Sequence, residues 1–346
     1  MNDIVSDWAS VKFGSDPELF AEQNGRIVGS ELVIPKKLTS DMGNAIVRDG
    51  VQLELHVHPE FCREFFENNI EDTFEALKRH FEDLNNGTQM NFKAVVRVSR
   101  GELNKLSAKS RILGCAPSIN IYDENAKLGV NPETYRVRSA GGHIHLGLSS
   151  PKLKKEFKRI IRMCDILVGN QCVLIDRDPL QRIRRRVYGR AGECRVQKYG
   201  VEYRTLSNFW LRSRPLVSFV LAMARNAVHV IATTDGLVGD DKKWNAEKAI
   251  FDYINLKDII RAINKNDFDL AMKNYEGIEK FLVKHFDANS DGLNRKNVKQ
   301  FRFFIKMIKE EGIEYWFPKD PSRYWTEGGR RYGWESFLSV VGRRMK

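Results

Sequence analysis

Two histidines, His143 and His145, alternate along a short run that directly follows a pair of glycines, Gly141 and Gly142. Alternating residues of a β-strand point to one face, so both imidazoles are expected on the same side of a sheet. The glycines allow another group to approach the backbone closely. Because a strand face with two imidazoles is a poor hydrophobic core, the pattern favours a sheet with one buried and one accessible face.

Two further segments show the same alternation. In residues 45–58 the opposite face is apolar, and the polar series consists of Gln52, Glu54, His56 and His58. In Val201–Leu206, Glu202 and Arg204 alternate in the same way. A solvated strand face for the first segment and a cross-strand ion pair for the second are the alternative interpretations.

Strand and helix patterns occur in irregular order along the chain. They predict strands at 11–22, 45–58, 95–98, 143–148 and 201–206, helices at 66–86, 152–175 and 215–233, and a loop-rich stretch at 113–131. This order predicts an α+β fold with an antiparallel sheet packed by helices. A change to charged, aromatic helical segments predicts a boundary near 236–241, with a first domain at 1–235. Residues 236–346 form a mainly helical extension or part of the same domain.

The charge is strongly basic and unevenly distributed. The net charge is +12, and between Asp176 and Arg214 there are 11 Lys or Arg against 4 Asp or Glu, a net of +7. Such a cluster indicates an anionic partner: nucleic acid, an acidic membrane, or the phosphates and carboxylates of a small substrate. A solvated basic face is the alternative. Arg182 and Arg184–Arg186 fit either nucleic acid or a loop that faces phosphate.

The remaining composition excludes several classes of protein. The five cysteines are odd in number and form no CxxC pair, which argues against zinc ribbons and disulfide frameworks. The first residues lack a signal-peptide pattern, and the apolar run 216–224 is shorter than the roughly 20 residues that span a bilayer. We therefore expect a cytoplasmic protein with no membrane partner.

Acidic and imidazole groups at these strand positions suit a divalent cation. Carboxylates with one histidine among them can bind Mg²⁺ or Mn²⁺. The candidate ligands are Asp16, Glu18, Glu54, His143, His145 and Glu202. Asp16-Pro17-Glu18 alone is equally well read as a turn. The cations expected to hold phosphate oxygens are Arg190, Arg195, Lys198 and Arg204. Together they predict a site for a metal-bound nucleoside triphosphate, although no P-loop is present.

Several blocks of the sequence together resemble a known family. They are Phe13–Phe20, Asp49-Gly50 with Glu54, Arg138–His145, Tyr188–Glu193 and Tyr199–Trp210. In this order they resemble the phage phiEco32-like carboxylate–amine ligases of type 2, which are similar to glutamine synthetase and glutamate–cysteine ligase in their catalytic sheet. The resemblance covers roughly residues 11–230. It implies a glutamine synthetase-like antiparallel sheet and a function in ATP-dependent amide bond formation through an acyl phosphate.

The resemblance also implies roles for individual residues. The implied metal ligands are Asp16, Glu18, Glu54, His143 and Glu202, for Mg²⁺ or Mn²⁺. The implied catalytic arginines near the transferred phosphate are Arg190, Arg195 and Arg204, and the implied ATP contacts are Lys198, Arg204 and His145. Asp16 stands where the superfamily more usually has Glu, so its shorter side chain is expected to reach a metal through water or not at all. Guesses for the general base are Glu193, His145 and Asp49.

The implied substrates are a small-molecule or peptide carboxylate and an amine. A phage-encoded protein of this kind would act in the host cytoplasm. The main alternative function is a basic nucleic-acid-binding or phage structural protein without turnover, and nucleic acid is not favoured as a partner. A kinase or a glutamate–cysteine-type ligase is the second alternative.

Overall fold

A computed structural model describes residues 11–111, 118–123, 135–176, 178–232, 246–284, 302, 305–306 and 318–328. The strands are β1 (Lys12–Ser15), β2 (Glu18–Gln23), β3 (Arg26–Val28), β4 (Lys37–Thr39), β5 (Ala45–Asp49), β6 (Gln52–Glu60), β7 (Thr88–Asn91), β8 (Val95–Arg97), β9 (Ile119–Asn120), β10 (Val137–Ser139), β11 (Ile144–Gly147), β12 (Glu193–Gln197) and β13 (Gly200–Tyr203).

Helices lie between and after these strands. They are α1 (Arg63–Leu84), α2 (Arg100–Asn104), α3 (Ala108–Arg111), α4 (Pro151–Lys155), α5 (Phe157–Cys164), α6 (Asn170–Ile175), α7 (Gln181–Val187), α8 (Arg214–Ala232), α9 (Ala246–Ile250), α10 (Leu256–Lys265), α11 (Phe268–Leu282) and α12 (Pro321–Arg323). Two π-helical turns, Asp165–Gly169 and Tyr324–Gly328, and two 3₁₀ turns, Ser30–Leu32 and Asn208–Arg212, complete the described elements.

The strands form one large antiparallel sheet and a small separate ribbon. In the described part of the chain the large sheet has 11 strands, and its main path runs β3-β2-β6-β1-β11-β13-β12-β9. β4, β5 and β7 pair at its sides, and β8 and β10 form the ribbon. The α+β prediction is confirmed, and the predicted strand at 45–58 is the β5–β6 hairpin.

One face of the sheet packs against helices and forms part of the hydrophobic core. The apolar residues that alternate with the polar series, Leu53 and Leu55 on β6 and Leu146 on β11, are completely buried. Helices α1, α5 and α8 pack on this side. Because successive side chains of a strand alternate between faces, this burial leaves the polar series on the other face, as the sequence predicts.

The predicted helix at 152–175 is interrupted twice. Glu156 separates α4 from α5, and the π-helical turn Asp165–Gly169 separates α5 from α6. At this turn the Tyr203 hydroxyl donates to Asp165 Oδ1 at 2.8 Å. A Cβ at Gly169 would overlap the same hydroxyl. The π-helical turn therefore lies where Tyr203 of β13 packs against the helix. The spacing of apolar residues in the sequence does not predict this interruption.

α8 is a long and strongly apolar helix. It is 19 residues long and apolar enough to cross a membrane, yet 89% of its apolar window is buried inside the protein, as in a core helix. The helices α10 and α11 pack on α6 and share the same hydrophobic core. The boundary predicted at 236–241 and most of the loop-rich stretch 113–131 lie outside the described residues.

Candidate active site

A row of facing residues crosses four neighbouring strands on the polar face. Gly14 on β1 lies opposite His145 on β11, His145 lies opposite Glu202 on β13, and Glu202 lies opposite Arg195 on β12. Directly opposite residues of antiparallel strands have Cβ atoms about 5 Å apart. The sheet therefore brings the imidazole of β11 together with a carboxylate and a guanidinium from the β12–β13 hairpin, about 50 residues later in the chain.

Asp16 completes a first group of candidate ligands, which we call the histidine group. It consists of Asp16, His145 and Glu202, and one donor atom of each lies within 4.8 Å of the others. Asp16 Oδ1 is 3.1 Å from His145 Nε2. The Asp16 side chain therefore reaches the group directly, despite being shorter than Glu.

A second group, which we call the carboxylate group, lies on the neighbouring strands. It consists of Glu18, Asp49 and Glu54, and its donor oxygens also lie within 4.8 Å of one another. Glu18 on β2 is directly opposite Glu54 on β6, and Asp49 ends β5 beside them. Only Pro17 separates Asp16 from Glu18, so the two groups adjoin.

The carboxylate group is crowded with negative charge. Burial, reinforced by nearby Asp49, Glu54 and Asp16, raises the pKa of Glu18 well above its ordinary value, although Gly141 N–H donates to Glu18 Oε2 at 2.7 Å. Burial and the neighbouring Glu54 raise the pKa of Asp49 to about 6. These carboxyls resist ionisation together, which is the condition that a bound cation relieves.

The histidine group behaves in the opposite way. Burial tends to raise the pKa of Asp16, but His143 and His145 outweigh it and hold that pKa well below the ordinary value. Burial also opposes protonation of His145, yet contact with Asp16 raises the pKa of this histidine. Asp16 is therefore an ionised carboxylate at neutral pH.

His143 lies behind the histidine group, and both of its ring nitrogens have protein partners. Nδ1 is 3.1 Å from Asp16 Oδ1 and 3.3 Å from Glu202 Oε1, while Nε2 is hydrogen-bonded to the Tyr188 hydroxyl. Burial lowers the pKa of His143. The resemblance implies that His143 binds the metal and that His145 contacts ATP. In the structure, His145 is a member of the histidine group, and His143 lies outside it and contacts two of its members, Asp16 and Glu202.

The predicted arginines are divided between two environments. Arg204 is buried, forms an ion pair with Glu202 and lies over the Tyr188 ring, and Arg195 Nη1 is 3.3 Å from Glu202 Oε2. Arg190 instead donates to the carbonyls of Arg185 and Arg186 at 3.1 and 2.9 Å, at the end of α7. Arg195 and Arg204 flank the histidine group, and Arg190 caps a helix.

Lys198, predicted to contact ATP, lies in the turn between β12 and β13. It is exposed, and its carbonyl oxygen accepts from Lys154 Nζ at 2.9 Å. The neighbouring Tyr199 stacks on His145 with ring centroids 5.6 Å apart. Glu193, one of the candidate bases, accepts from Gly189 N–H at 2.8 Å and is buried.

The arginine run that suggested nucleic acid or a phosphate-facing loop is a helix. Arg184 and Arg185 on α7 are buried, at 1% and 5% exposure, and their guanidinium groups donate to main-chain carbonyls, including that of Thr205. Burial lowers the pKa of Arg185 to about 10. The positive charges of Arg184 and Arg185 are therefore inside the protein. The prediction of a loop that faces phosphate is wrong, because this segment is the helix α7.

The glycine pair makes the close approach that the sequence predicts. A Cβ at Gly141 would overlap the His143 ring, and one at Gly142 would overlap the Ser207 carbonyl and the Trp210 indole nitrogen. The Trp210 indole N–H donates to the Gly142 carbonyl at 3.1 Å. The backbone before β11 is thus packed too tightly for any side chain.

Gly142→Ala should therefore destabilise the protein by about 1–3 kcal/mol, the usual range for overpacking, and more if the backbone cannot shift. Gly101→Ala is the matched control, since its Cβ would meet only the Ser99 hydroxyl at 3.8 Å. This exposed helical position should gain about 0.5–1 kcal/mol. Urea denaturation of both variants measures the difference, and equal stability would contradict the tight packing at Gly142.

Three residues of this region were not predicted as metal ligands or ring contacts. Asp49 was considered only as a base, and Tyr188 and Tyr199 were noted only as parts of longer blocks. The signal for Asp49 was its place at the end of a strand that faces the polar series. Tyr188 and Tyr199 lie in connecting segments, where no periodicity points to the face they contact.

A family model matches part of the chain. The family model described as phage phiEco32-like COOH.NH2 ligase-type 2 matches residues 112–297, just over half of the chain. The match includes His143, His145 and Glu202, and it extends past the end of the resemblance noted at about residue 230. Asp16 and the carboxylate group lie before it. No curated protein matches the chain.

Proposed function

The chain belongs to the phage phiEco32-like COOH.NH2 ligase family, type 2, and is a carboxylate–amine ligase; we propose that it uses Mg²⁺ and ATP and proceeds through an acyl phosphate. Its substrates are a carboxylate and an amine. The observation that carries the proposal is the meeting of the histidine and carboxylate groups on one sheet face, with Arg195 and Arg204 beside them.

The chemistry of the substrates explains the need for ATP. A carboxylate does not react with an amine directly, because oxide is too poor a leaving group. In the proposed sequence a carboxylate oxygen attacks the γ-phosphorus of ATP and ADP departs. The amine then attacks the acyl carbon and loses a proton, and phosphate departs with one oxygen of the original carboxylate.

The residues of the chain have distinct parts in this sequence. Arg195 and Arg204 offset the charge that develops on the transferred phosphoryl group, which is the largest demand in such reactions. Tyr199 and Asp16 hold the His145 ring from two sides, and Tyr188 and Asp16 fix the His143 ring. The proton of the amine needs a base, and the candidates are Glu193, His145 and Asp49.

The donor set fits a divalent cation. Apart from Glu202, the two groups contribute four carboxylates, which are hard ligands that suit Mg²⁺ or Mn²⁺, and one imidazole, which is compatible with either cation. Glu202 is fully buried, and its Oε2 accepts no hydrogen bond from the described residues but has Arg195 Nη1 as an ion-pair partner at 3.3 Å. When bound, the cation would neutralise the ATP phosphates and leave the carboxylates fully ionised.

Mg²⁺ or Mn²⁺ should therefore raise the melting temperature of the protein, by about 2–5 °C at saturating concentration. Because the cation competes with protons on Glu18 and Asp49, whose pKa values are raised, the increase should shrink as the pH falls below about 6. Differential scanning calorimetry in the presence of each cation measures this. Spermidine at matched ionic strength is the control, and an equal increase with spermidine would argue against a metal site.

Direct ADP release tests the proposed activity. The protein is incubated with ATP, Mg²⁺ and pools of amino acids, peptides and polyamines, and ADP and amide products are followed by mass spectrometry. We expect ADP release that requires Mg²⁺ and both substrate classes. Binding of nucleic acid with a steep salt dependence and no response to Mg²⁺-ATP would instead favour the alternative function.

A further inference from the structure

A cleft of about 700 Å³ lies apart from the two ligand groups, and consecutive residues of two strands line it. These residues are 25–27, at the start of β3, and 95–97, which form β8. A strand that presents its face contributes alternate residues, whereas a strand that presents its edge contributes consecutive ones. The cleft is therefore bordered by two strand edges.

The edge of β8 that faces away from β10 has open hydrogen-bonding groups. Ala140 N–H donates to the Ala94 carbonyl at 2.8 Å, and Val98 N–H donates to the Arg136 carbonyl. In an antiparallel ladder these bonds alternate, so the main-chain groups of Val95 and Arg97 point away from β10. Within the described ranges no strand pairs with this edge.

The edge of β3 is equally open. β2 and β3 form a hairpin through Asn24 and Gly25, both with positive φ, and the pair that closes the turn is Gln23 with Arg26. The next residue, Ile27, is then a non-hydrogen-bonded partner of β2, and its main-chain groups point outward. Unpaired strand edges are the sites at which extended peptides add to a sheet.

The cleft also carries basic side chains without counterions. Arg26, Lys93 and Arg97 line it, all three are exposed, and none forms an ion pair with any residue that the structure describes. An arginine that meets a carboxylate can form two parallel charge-assisted hydrogen bonds. The free cations therefore favour an anionic ligand.

The acids of the cleft are already engaged. Glu22 accepts from Asn91 Nδ2 at 2.6 Å, and Glu102 forms an ion pair with Lys105 at 2.9 Å. Asp178 accepts from Leu180 N–H at 2.8 Å. Among the residues that the structure describes, only Glu102 is paired with a cation; Glu22 and Asp178 accept from neutral groups and keep their charge. Three cations, Arg26, Lys93 and Arg97, therefore face two charged carboxylates, and the cleft stays net positive.

Both walls of the cleft lead to the carboxylate group. Glu22 and Glu18 share a face of β2, four residues or about 13 Å apart. On the other wall, Val95 pairs with Ser139, two residues before Gly141, whose N–H donates to Glu18. Phe20 lies between Glu22 and Glu18 on this face of β2 and is completely buried in a cluster with Val51 and Val96. A ligand of about four extended residues has the length to reach Glu18, and it would have to pass beside this cluster.

We infer that this cleft binds an extended acidic peptide by strand addition. Open strand edges supply main-chain partners, and Arg26, Lys93 and Arg97 pair with its carboxylates. If the proposed function is correct, a carboxylate of this peptide is the group activated at the ligand groups, and that role rests on the proposed function.

The binding itself can be tested without turnover. A fluorescein-labelled hexaglutamate peptide is titrated with the full chain, without ATP or divalent cations, and its anisotropy is followed. The double variant Arg26→Gln/Arg97→Gln should weaken binding about tenfold or more, as should N-methylation of alternate peptide nitrogens. The matched control Arg261→Gln/Arg323→Gln removes two exposed arginines elsewhere and should leave the affinity unchanged.

Three results would overturn the inference. They are equal affinity in both double variants, equal affinity of the N-methylated peptide, and tighter binding of an oligonucleotide of equal charge. Glu202→Gln should retain peptide binding, since Glu202 does not line the cleft. If the peptide binds but does not stimulate ADP release while another acid does, its role as substrate is wrong and the proposed function stands.

Discussion

Glu202→Gln should abolish Mg²⁺-dependent ADP formation, with a loss of at least about 10²–10³-fold, while the protein stays folded. Glu202 is at the centre of the site: it contacts Arg204, Arg195 and His143 and belongs to the histidine group. Gln keeps the shape of the side chain but removes the charge that holds both arginines and contributes to cation binding. Steady-state ADP release, with circular dichroism on the same sample, measures both effects.

A second buried ion pair provides the control. Glu71 on α1 contacts Arg214 Nη2 at 2.6 Å, is also buried, and lies on the helical side of the sheet. Both Gln variants should lose about 1–3 kcal/mol of stability, because each leaves a buried arginine short of a partner. Only Glu202→Gln should lose activity. A folded and fully active Glu202→Gln protein would remove Glu202 from the site.

Glu18→Gln should change stability and activity in opposite directions. Without divalent cations we expect a melting temperature at least about 2 °C higher near pH 8, because the variant relieves the repulsion within the carboxylate group. Gln can still accept the hydrogen bond from Gly141 N–H. Activity should fall by about 10²-fold or more, since one of the three donors loses its charge.

The stability gained by Glu18→Gln should depend on pH. The pKa of Glu18 is raised on folding, so the wild-type protein loses stability as the pH rises from the ordinary value through the folded value. The advantage of Glu18→Gln should therefore grow as the pH rises from about 5 to about 8. Glu60→Gln, farther along β6, is the control variant. If Glu18→Gln were less stable than the wild type at every pH, the claim that the carboxylates of the carboxylate group repel one another would be wrong.

The sequence predicts the polar face well because strands have a period of two. The alternation at Gln52–His58 predicts which side chains leave the core, and burial of Leu53 and Leu55 agrees with it. The same rule places both His143 and His145 near Asp16, and each ring has a nitrogen 3.1 Å from Asp16 Oδ1. Periodicity is a local property, so it identifies a face without the three-dimensional structure.

Other parts of the site depend on contacts between distant segments. His143 turns toward Tyr188, which lies 45 residues later in a connecting segment. The Arg190 guanidinium donates to the carbonyls that end α7, and no pattern in the sequence predicts a helix there. Asp49 joins the carboxylate group only through the register of the β5–β6 hairpin. These side-chain positions depend on tertiary contacts, so they cannot be predicted from the pattern of a single segment.

The fate of one oxygen atom tests the proposed reaction most directly. Carboxyl groups of the acid substrates are labelled with ¹⁸O, and the phosphate released with ATP, Mg²⁺ and an amine is analysed by mass spectrometry. We expect one ¹⁸O atom in each phosphate that accompanies amide formation, and none with Glu202→Gln, which should release no phosphate. Amide formed without ¹⁸O in phosphate, or formed equally well without ATP, would contradict activation of the carboxylate on this face of the sheet.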